Sequence, residues 1–278
     1  MTWKNSVNMP QVALVSQNPS LFVEEVKKTS RSPIDNFYYT SADINTKCTP
    51  SFLSTNGNTI SGLMLVGLIS ATENYFRDIL GYILSICPTS QNKSVEQKIQ
   101  LGSVLWGGND VHNKNAFEFM AFSNSKNVVD TFNGFLGYTV AQHGAWRVWL
   151  TEYDKLCELR HAVVHSDNVI AGKNAIKLAL QNNKKPLRIK VDYSNLQNAS
   201  LVCTSMVQAA NNELFEMMIK RWAESWRQSG APSHLFSDKT LLSIRKMFLS
   251  GRDRKNNAIS NRQADDLFIS NVKSDFNL

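Results

Sequence analysis

Residues 149–165 read WLTEYDKLCELRHAVVH, and this stretch decides the expected fold. Leu150, Tyr153 and Cys157 follow one another at helical spacings of three and four, which is typical of an amphipathic helix with one face in a core. The last six residues then place one permanent cation and two imidazoles on the same helix. Such groups are costly on an apolar helix unless something binds them. The stretch therefore indicates an α-helical core that carries a functional site.

The composition is that of a folded domain. The chain has 278 residues, 42% of them hydrophobic, which is enough for one large domain or two small ones. Its cysteines are far apart and form no Cys-x-x-Cys pair, so zinc-ribbon and thioredoxin-like sites have no support. They are Cys48, Cys87, Cys157 and Cys203.

The location expected from the sequence is the cytoplasm. Residues 1–12 are polar and lack the apolar region of a secretory signal. Unpaired thiols also fit a reducing compartment. The most apolar stretch, residues 62–72, is too short to span a bilayer and runs directly into charged residues, so no membrane association is expected.

Positive charge is concentrated in two segments. The net charge is +7, and residues 220–262 contain ten Lys or Arg against three Asp or Glu, which equals the whole excess. A second segment, residues 172–191, contains no acidic residue. Basic clusters attract polyanions, although a solvated face is an equally good interpretation. The RNA-binding residues predicted in the second segment are Lys173, Lys177, Lys184, Lys185, Arg188 and Lys190.

Three segments are expected along the chain. Residues 1–58 should form a mostly irregular arm with one short helix at 20–28, residues 59–228 a helical domain, and residues 229–278 a basic helix followed by a mobile tail from residue 251. The fold class is all-α, with a short β-hairpin or an irregular insertion after the motif helix, since residues 187–191 alternate like a strand. The predicted helices cover residues 60–86, 95–105, 127–138, 141–164, 196–227 and 239–249.

Glu73 lies inside an apolar stripe of the predicted helix 60–86, where a carboxylate needs a partner. One interpretation is an i,i+4 pair with Arg77. The other is that Glu73 orients Arg160 or belongs to an active site, since perturbed carboxylates sometimes mark such sites.

The spacing Arg160-x4-His165, with the polar His161 directly after the arginine, resembles the signature of the HEPN superfamily. Residues 70–80 resemble the early helix of that family and residues 156–167 its nuclease-type branch, so the resemblance covers roughly residues 60–227. It implies a helical bundle that dimerises and sets two motifs around one cleft.

The resemblance also implies an activity. Active members are metal-independent RNA endonucleases, often toxins or antiviral effectors, whereas other members are catalytically silent binding modules. Arg160 and His165 would be the catalytic pair, His161 would support them, and Glu73 is a further candidate. The expected partners are RNA, a second copy of the chain, and an antitoxin or another defence-system protein. No cofactor and no metal is expected.

The two catalytic candidates point to different sides of the predicted helix. On an ideal helix Arg160 and His165 diverge by about 140°, so a two-fold dimer is needed to bring an arginine and a histidine together. The expected reaction is attack of a ribose 2′-OH on the adjacent phosphate, with an imidazole as base and the guanidinium stabilising the phosphoryl charge.

Other interpretations of the motif stay open. The histidines could satisfy core carbonyls, and Arg160 could act on the helix end alone. His161-x3-His165 also has metal-ligand spacing, but Ala162 replaces the glutamate of a His-Glu-x-x-His motif. A zinc site is therefore the weakest of these alternatives. His112, His143 and His234 have no sequence context that singles them out.

Overall fold

The computed structural model describes residues 18–25, 30–107, 114–181, 184–255 and 265–278. The chain divides into two compact units, Met1–Ser30 and Arg31–Leu278. In the first unit, Pro19–Phe22 form a short 3-10 helix, with the Asn18 side chain accepting a hydrogen bond from the amide of Ser20. The helix expected at residues 20–28 is thus shorter and begins earlier, and residues 26–29 lie outside the described part.

The second unit is all-α wherever it is described, as the sequence predicts. Lys114–Phe117 and Ser233–Phe236 are short 3-10 helices, and Arg221–Ser225 form a π-helical turn. The α-helices are α1 (Pro33–Lys47), α2 (Pro50–Ile86), α3 (Pro88–Ser94), α4 (Leu101–Gly107), α5 (Ser125–Leu136), α6 (Ala145–His165), α7 (Gly172–Lys177), α8 (Tyr193–Lys220), α9 (Trp226–Gln228), α10 (Asp238–Phe248), α11 (Gly251–Lys255) and α12 (Asp265–Asp275).

Four long helices form the bundle that carries the motif. Helices α2 and α8 contact each other, and both α1 and α6 contact this pair. The backbone amide of Trp146, at the start of α6, donates to Glu213 near the end of α8, 2.9 Å away. In the first half of α2, Gly62 lies against Val163 near the end of α6. Helix α6 therefore runs antiparallel to both α2 and α8.

The apolar stripe predicted for residues 149–165 is part of the core. Leu150 and Tyr153 are fully buried on α6, together with Trp146 one turn earlier. Trp146 stacks on Phe76 of α2 and meets Phe132 of α5 edge-on. Aromatic pairs of this kind add to the apolar area that they bury, so the first half of α6 is held firmly.

The prediction of an irregular arm at residues 1–58 is wrong for residues 33–58. Ser32 caps α1 by accepting from the amide of Asp35, and Pro33 occupies the first helical position. Ile34, Phe37 and Tyr38 are buried against the bundle. Because many Asn, Ser and Thr residues lie between these apolar residues, the apolar face is hard to recognise in the sequence. Tertiary packing supplies most of the stability of such a helix.

The C-terminal segment is not a separate basic tail. Helix α11 begins where Asp35 of α1 accepts hydrogen bonds from the Ser250 hydroxyl and from the Gly251 amide, at 2.9 and 2.8 Å. Helix α12 buries Phe268 and Val272, one turn apart, and α12 contacts α10. The predicted boundary at residue 229 is therefore wrong, because residues 31–278 form one compact unit, and α11 and α12 are helical where an irregular tail was expected.

The segment after the motif is irregular rather than a hairpin. A single antiparallel bridge joins Val169 to Arg188, and the described residues contain no strand. The Asn58 side chain donates to the carbonyl of Ile189 and accepts from the amide of Val191. These hydrogen bonds take the place of a second strand, so the irregular alternative describes residues 168–171, 178–181 and 184–191, and α7 lies between the first two of these ranges.

Helix α2 is long and apolar enough, by length and composition alone, to cross a membrane. A core helix passes the same test. The buried residues of α2 contact α1, α6 and α8. Gly57, at φ 72° and ψ 177°, breaks the regular helix near its start.

Candidate active site

The motif lies at the last turn of α6. The amides of Ser166 and Asn168 both donate to the carbonyl of Ala162, each at 3.1 Å, and so end the helix directly after His165. Asp167 and Asn168 follow with φ of 48° and 63°. Asn and Asp tolerate this left-handed conformation better than most residues, which explains why the chain reverses here.

The two motif histidines are neighbours on the surface. His161 and His165 are both exposed, and their ring centroids are 4.7 Å apart. Both rings are therefore accessible to a solute, as a general base or a ligand must be. The interpretation of these residues as core histidines that satisfy buried carbonyls does not fit their exposure.

Arg160 is partly exposed, but its Nε atom is buried. That Nε has no hydrogen-bond partner among the described residues. An unsatisfied buried donor costs free energy, and a charged one costs more. On the helix Arg160 and His165 point about 140° apart, so one chain does not by itself bring the guanidinium to the imidazole.

Glu73 belongs to a different cluster. Its carboxylate pairs with Arg77 at 3.1 Å, as in the i,i+4 interpretation, and both side chains are largely buried. Arg77 also donates to the carbonyls of Phe117 and Met120. Glu73 also acts electrostatically on Tyr153 and Cys157 of α6, and among the described residues no hydrogen bond or ion pair joins it to Arg160.

The part of α6 that precedes the motif carries buried side chains that stay neutral. Burial raises the pKa of the Tyr153 hydroxyl and of the Cys157 thiol well above their ordinary values. Burial also raises the pKa of Cys203, on the facing helix α8, to about 12. None of these groups provides an ionised nucleophile or base near neutral pH. Among the Tyr, Cys and His side chains of α6, the two motif histidines are therefore the candidate bases.

The basic segment after the motif is partly neutralised by acids from outside it. Lys177 pairs with Glu158 of α6, Arg188 with Asp167 at 3.8 Å, and Lys190 with Asp192 at 3.9 Å. The remaining three predicted residues, Lys173, Lys184 and Lys185, are exposed.

This segment still lies against the motif helix. Asn174 of α7 donates to the carbonyl of Glu158, and Arg188 is bridged to the turn that follows His165. Lys177 and Arg188 therefore lie beside the C-terminal part of α6.

Arginines of the C-terminal basic segment serve the fold. Arg221 donates to the Ser90 hydroxyl and to the carbonyl of Leu136. Arg227 lies over the Trp222 ring, and the largely buried Arg245 lies over the Phe268 ring. Their role in guiding RNA, expected from charge alone, is therefore not supported.

Three positions that sequence reasoning overlooked hold the motif in place. Asn168 is buried, and its backbone carbonyl accepts from the amide of Ile189 at 2.8 Å. Gly62 allows α2 to approach Val163 and Asn168 closely. Asn58 ties residues 189–191 to α2. Gly62 in α2 and the Asp167-Asn168 pair after α6 are both visible in the sequence. The contact between Gly62 and Asn168, however, depends on how the bundle packs α2 against α6.

No family model, no curated protein and no solved structure matches the chain. An open depression of about 490 Å³ beside α10 and α12, lined in part by Asp238, Asp266 and Lys273, includes none of the predicted site residues.

Proposed function

We propose that the chain is a metal-independent RNA endonuclease of the HEPN type, which works as a homodimer. One observation carries the proposal: two exposed imidazoles lie side by side, and on the same helix turn a guanidinium has a buried Nε with no partner among the described residues. A polar group left unsatisfied where the surroundings are apolar is more often kept for function than for stability.

The reaction that fits these groups is an internal transesterification. The His165 imidazole accepts the proton of a ribose 2′-OH, whose oxygen forms a bond to the adjacent phosphorus. The bond from phosphorus to the 5′ oxygen breaks, and a protonated group of the facing motif gives that oxygen its proton. Arg160 holds the phosphoryl oxygens as their negative charge grows. The products are a 2′,3′-cyclic phosphate and a 5′-OH end.

Exposed apolar side chains near the motif are compatible with a dimer. Val164, within the motif, has 45% of its surface exposed, and Leu63, next to the motif contact at Gly62, has 52% exposed. Apolar side chains in such positions are suited to cover each other across a two-fold axis. In that arrangement the 140° between Arg160 and His165 on one helix is no obstacle, because each pairs with the motif of the other copy.

The biological setting is part of the same proposal. We infer a cytoplasmic toxin or antiviral effector whose activity is restrained by an antitoxin or by another protein of its defence system. All four cysteines are buried free thiols, which fits a reducing compartment. The exposed basic residues of the segment 172–191 would attract the RNA backbone.

The test is cleavage of single-stranded RNA by purified protein in the presence of EDTA. Wild type should cut RNA, leave 2′-deoxy substrate intact and produce 5′ ends that a kinase labels directly. Arg160→Ala and His165→Ala should each lower the rate at least about 100-fold, the lower end of what a general base or a charge-stabilising donor contributes.

Two matched variants control this test. Arg147→Ala removes an arginine from the first turn of the same helix, and His143→Ala removes an exposed histidine just before it. Both should keep wild-type activity. If wild type is as inert as the Arg160 and His165 variants under all conditions, the silent binding module is the correct interpretation.

A further inference from the structure

We infer that His161 and His165 form a two-imidazole site for a borderline or soft divalent transition metal, such as Cu²⁺, Ni²⁺ or Zn²⁺. The spacing of these histidines in the sequence permits such a site. The structure adds that both rings are exposed and that their centroids are 4.7 Å apart.

The ring separation matches that of a chelate. A metal lies about 2.1 Å from a bound imidazole nitrogen and hence about 3.2 Å from the ring centre, so two rings at about 90° to 110° around the metal have centres about 4.5 to 5.2 Å apart. The observed separation falls inside this interval. Small rotations of two exposed side chains are thus enough to aim one nitrogen of each ring at a common point.

The class of metal follows from the ligands. Imidazole suits copper, nickel and zinc, whereas Mg²⁺ and Ca²⁺ prefer oxygen ligands. The nearest acid on the same face, Glu158, lies one turn before His161 and is paired with Lys177. In the part of the chain that the structure describes, no group of three His, Cys, Asp or Glu side chains is arranged to hold a metal. Water would complete the coordination.

Metal binding at this pair has a consequence that rests on the proposed nuclease function. The lone pair that would accept the 2′-OH proton is the one that binds the metal, and a bound cation blocks it. A transition metal is therefore an inhibitor of this site rather than its cofactor. Metal-free protein should cleave RNA, micromolar to millimolar Zn²⁺ should stop cleavage, and EDTA should restore it.

The binding test uses Cu²⁺ alone, without RNA, because Cu²⁺ has the highest affinity in the divalent series and a visible and paramagnetic signature. Titration of the full chain should show Cu²⁺ bound by nitrogen ligands. His161→Ala and His165→Ala should each weaken binding at least about tenfold, since even loss of a group that only supports a metal ligand costs 10- to 100-fold. His143→Ala and excess Mg²⁺ should leave the affinity unchanged.

Unchanged Cu²⁺ affinity in the His161→Ala/His165→Ala double variant, with helicity intact by circular dichroism, would overturn the site. Saturating Zn²⁺ that leaves cleavage at its metal-free rate would overturn the inhibition. If metal-free protein cuts no RNA at all, the proposed nuclease function fails, and the Cu²⁺ titration still decides the metal site.

Discussion

Gly62 sets how closely α2 approaches the end of the motif helix. A Cβ atom at this position would lie 3.0 Å from Asn168 Oδ1 and 3.1 Å from Val163 Cγ1. Both neighbours belong to the α6 terminus and to the turn that follows it, and Asn168 is buried. The absence of a side chain at Gly62 therefore helps to position Arg160, His161 and His165 from the neighbouring helix.

We expect Gly62→Ala to lower the free energy of unfolding by up to about 2 kcal/mol. The change gains about 1 kcal/mol of helix propensity but overpacks a contact, which costs about 1–3 kcal/mol. The matched control is Gly134→Ala in α5, where the new Cβ meets only the Gln97 side chain at 3.7 to 3.8 Å. That change should raise stability by about 0.5–1 kcal/mol.

Urea denaturation of both variants measures the difference, with cleavage activity as a second readout. Gly62→Ala should also reduce activity, whereas Gly134→Ala should not. If the Gly62→Ala protein is as stable as the Gly134→Ala protein, the end of α6 can shift to accommodate the new Cβ with no loss in the free energy of unfolding.

At the level of helices, the sequence predicts the elements whose apolar face is continuous. Helix α6 follows directly from the repeat at Leu150, Tyr153 and Cys157, and α5 and α10 from similar repeats. Helix α1 was missed because Ile34, Phe37 and Tyr38 stand among eight Asn, Asp, Ser and Thr residues in the range 32–46. Its Ser32-Pro33 start is nevertheless a helix signal that can be read from sequence.

The candidate site is likewise predictable from the sequence only in part. Arg160, His161 and His165 are recognisable because polar groups interrupt an apolar repeat. The pairing of Glu73 with Arg77 is one of two alternatives that helical spacing leaves open, and the choice depends on the position of α2 against α6. Asn58 and Gly62 act through contacts with residues more than 100 positions away in the sequence. Asn168 acts through the amide of Ile189, which lies outside its own turn. No local sequence pattern encodes such contacts.

Asp35 joins the first helix of the second unit to the C-terminal segment. Its carboxylate accepts from the Ser250 hydroxyl and from the amides of Gly251 and Arg252, at 2.8 to 3.4 Å. Asp35→Ala should lower the free energy of unfolding by about 1–2 kcal/mol, since a lost helix cap and its unsatisfied donors cost that much. Limited proteolysis should then cut the C-terminal segment faster than in wild type.

The matched control for Asp35 is on the same helix. Asp43 makes an exposed i,i+4 pair with Lys47 at 2.8 Å. Such a pair contributes about 0.3–0.5 kcal/mol, so Asp43→Ala should change stability by no more than this and leave proteolysis unchanged. Equal effects of the two substitutions would mean that the C-terminal segment is held by its apolar contacts alone.

For the whole molecule, the distribution of charge predicts how RNA binding depends on salt. The logarithm of the binding constant for a single strand should fall linearly with the logarithm of salt concentration, by about 0.7 per phosphate contact. In a His165→Ala background, where RNA should be bound but not cut, Lys173→Ala should make this slope shallower by about 0.7. Lys126→Ala, an exposed lysine on α5 paired with Asp130, is the control and should leave the slope unchanged.

Assembly of two chains gives the sharpest test of the site. If Arg160 of one copy acts with His165 of the other, a heterodimer of Arg160→Ala and His165→Ala chains keeps one intact pair. When equal amounts of the two chains exchange freely, half of the dimers are heterodimers. Each heterodimer keeps one of its two Arg160–His165 pairs, so activity should recover to about a quarter of that of wild type. A mixture of His165→Ala with the double variant should stay inactive. Tagged chains would show that subunits have exchanged. If the Arg160→Ala and His165→Ala chains exchange but the mixture stays inactive, both groups act from the same chain. The 140° between them on α6 makes that arrangement geometrically unfavourable.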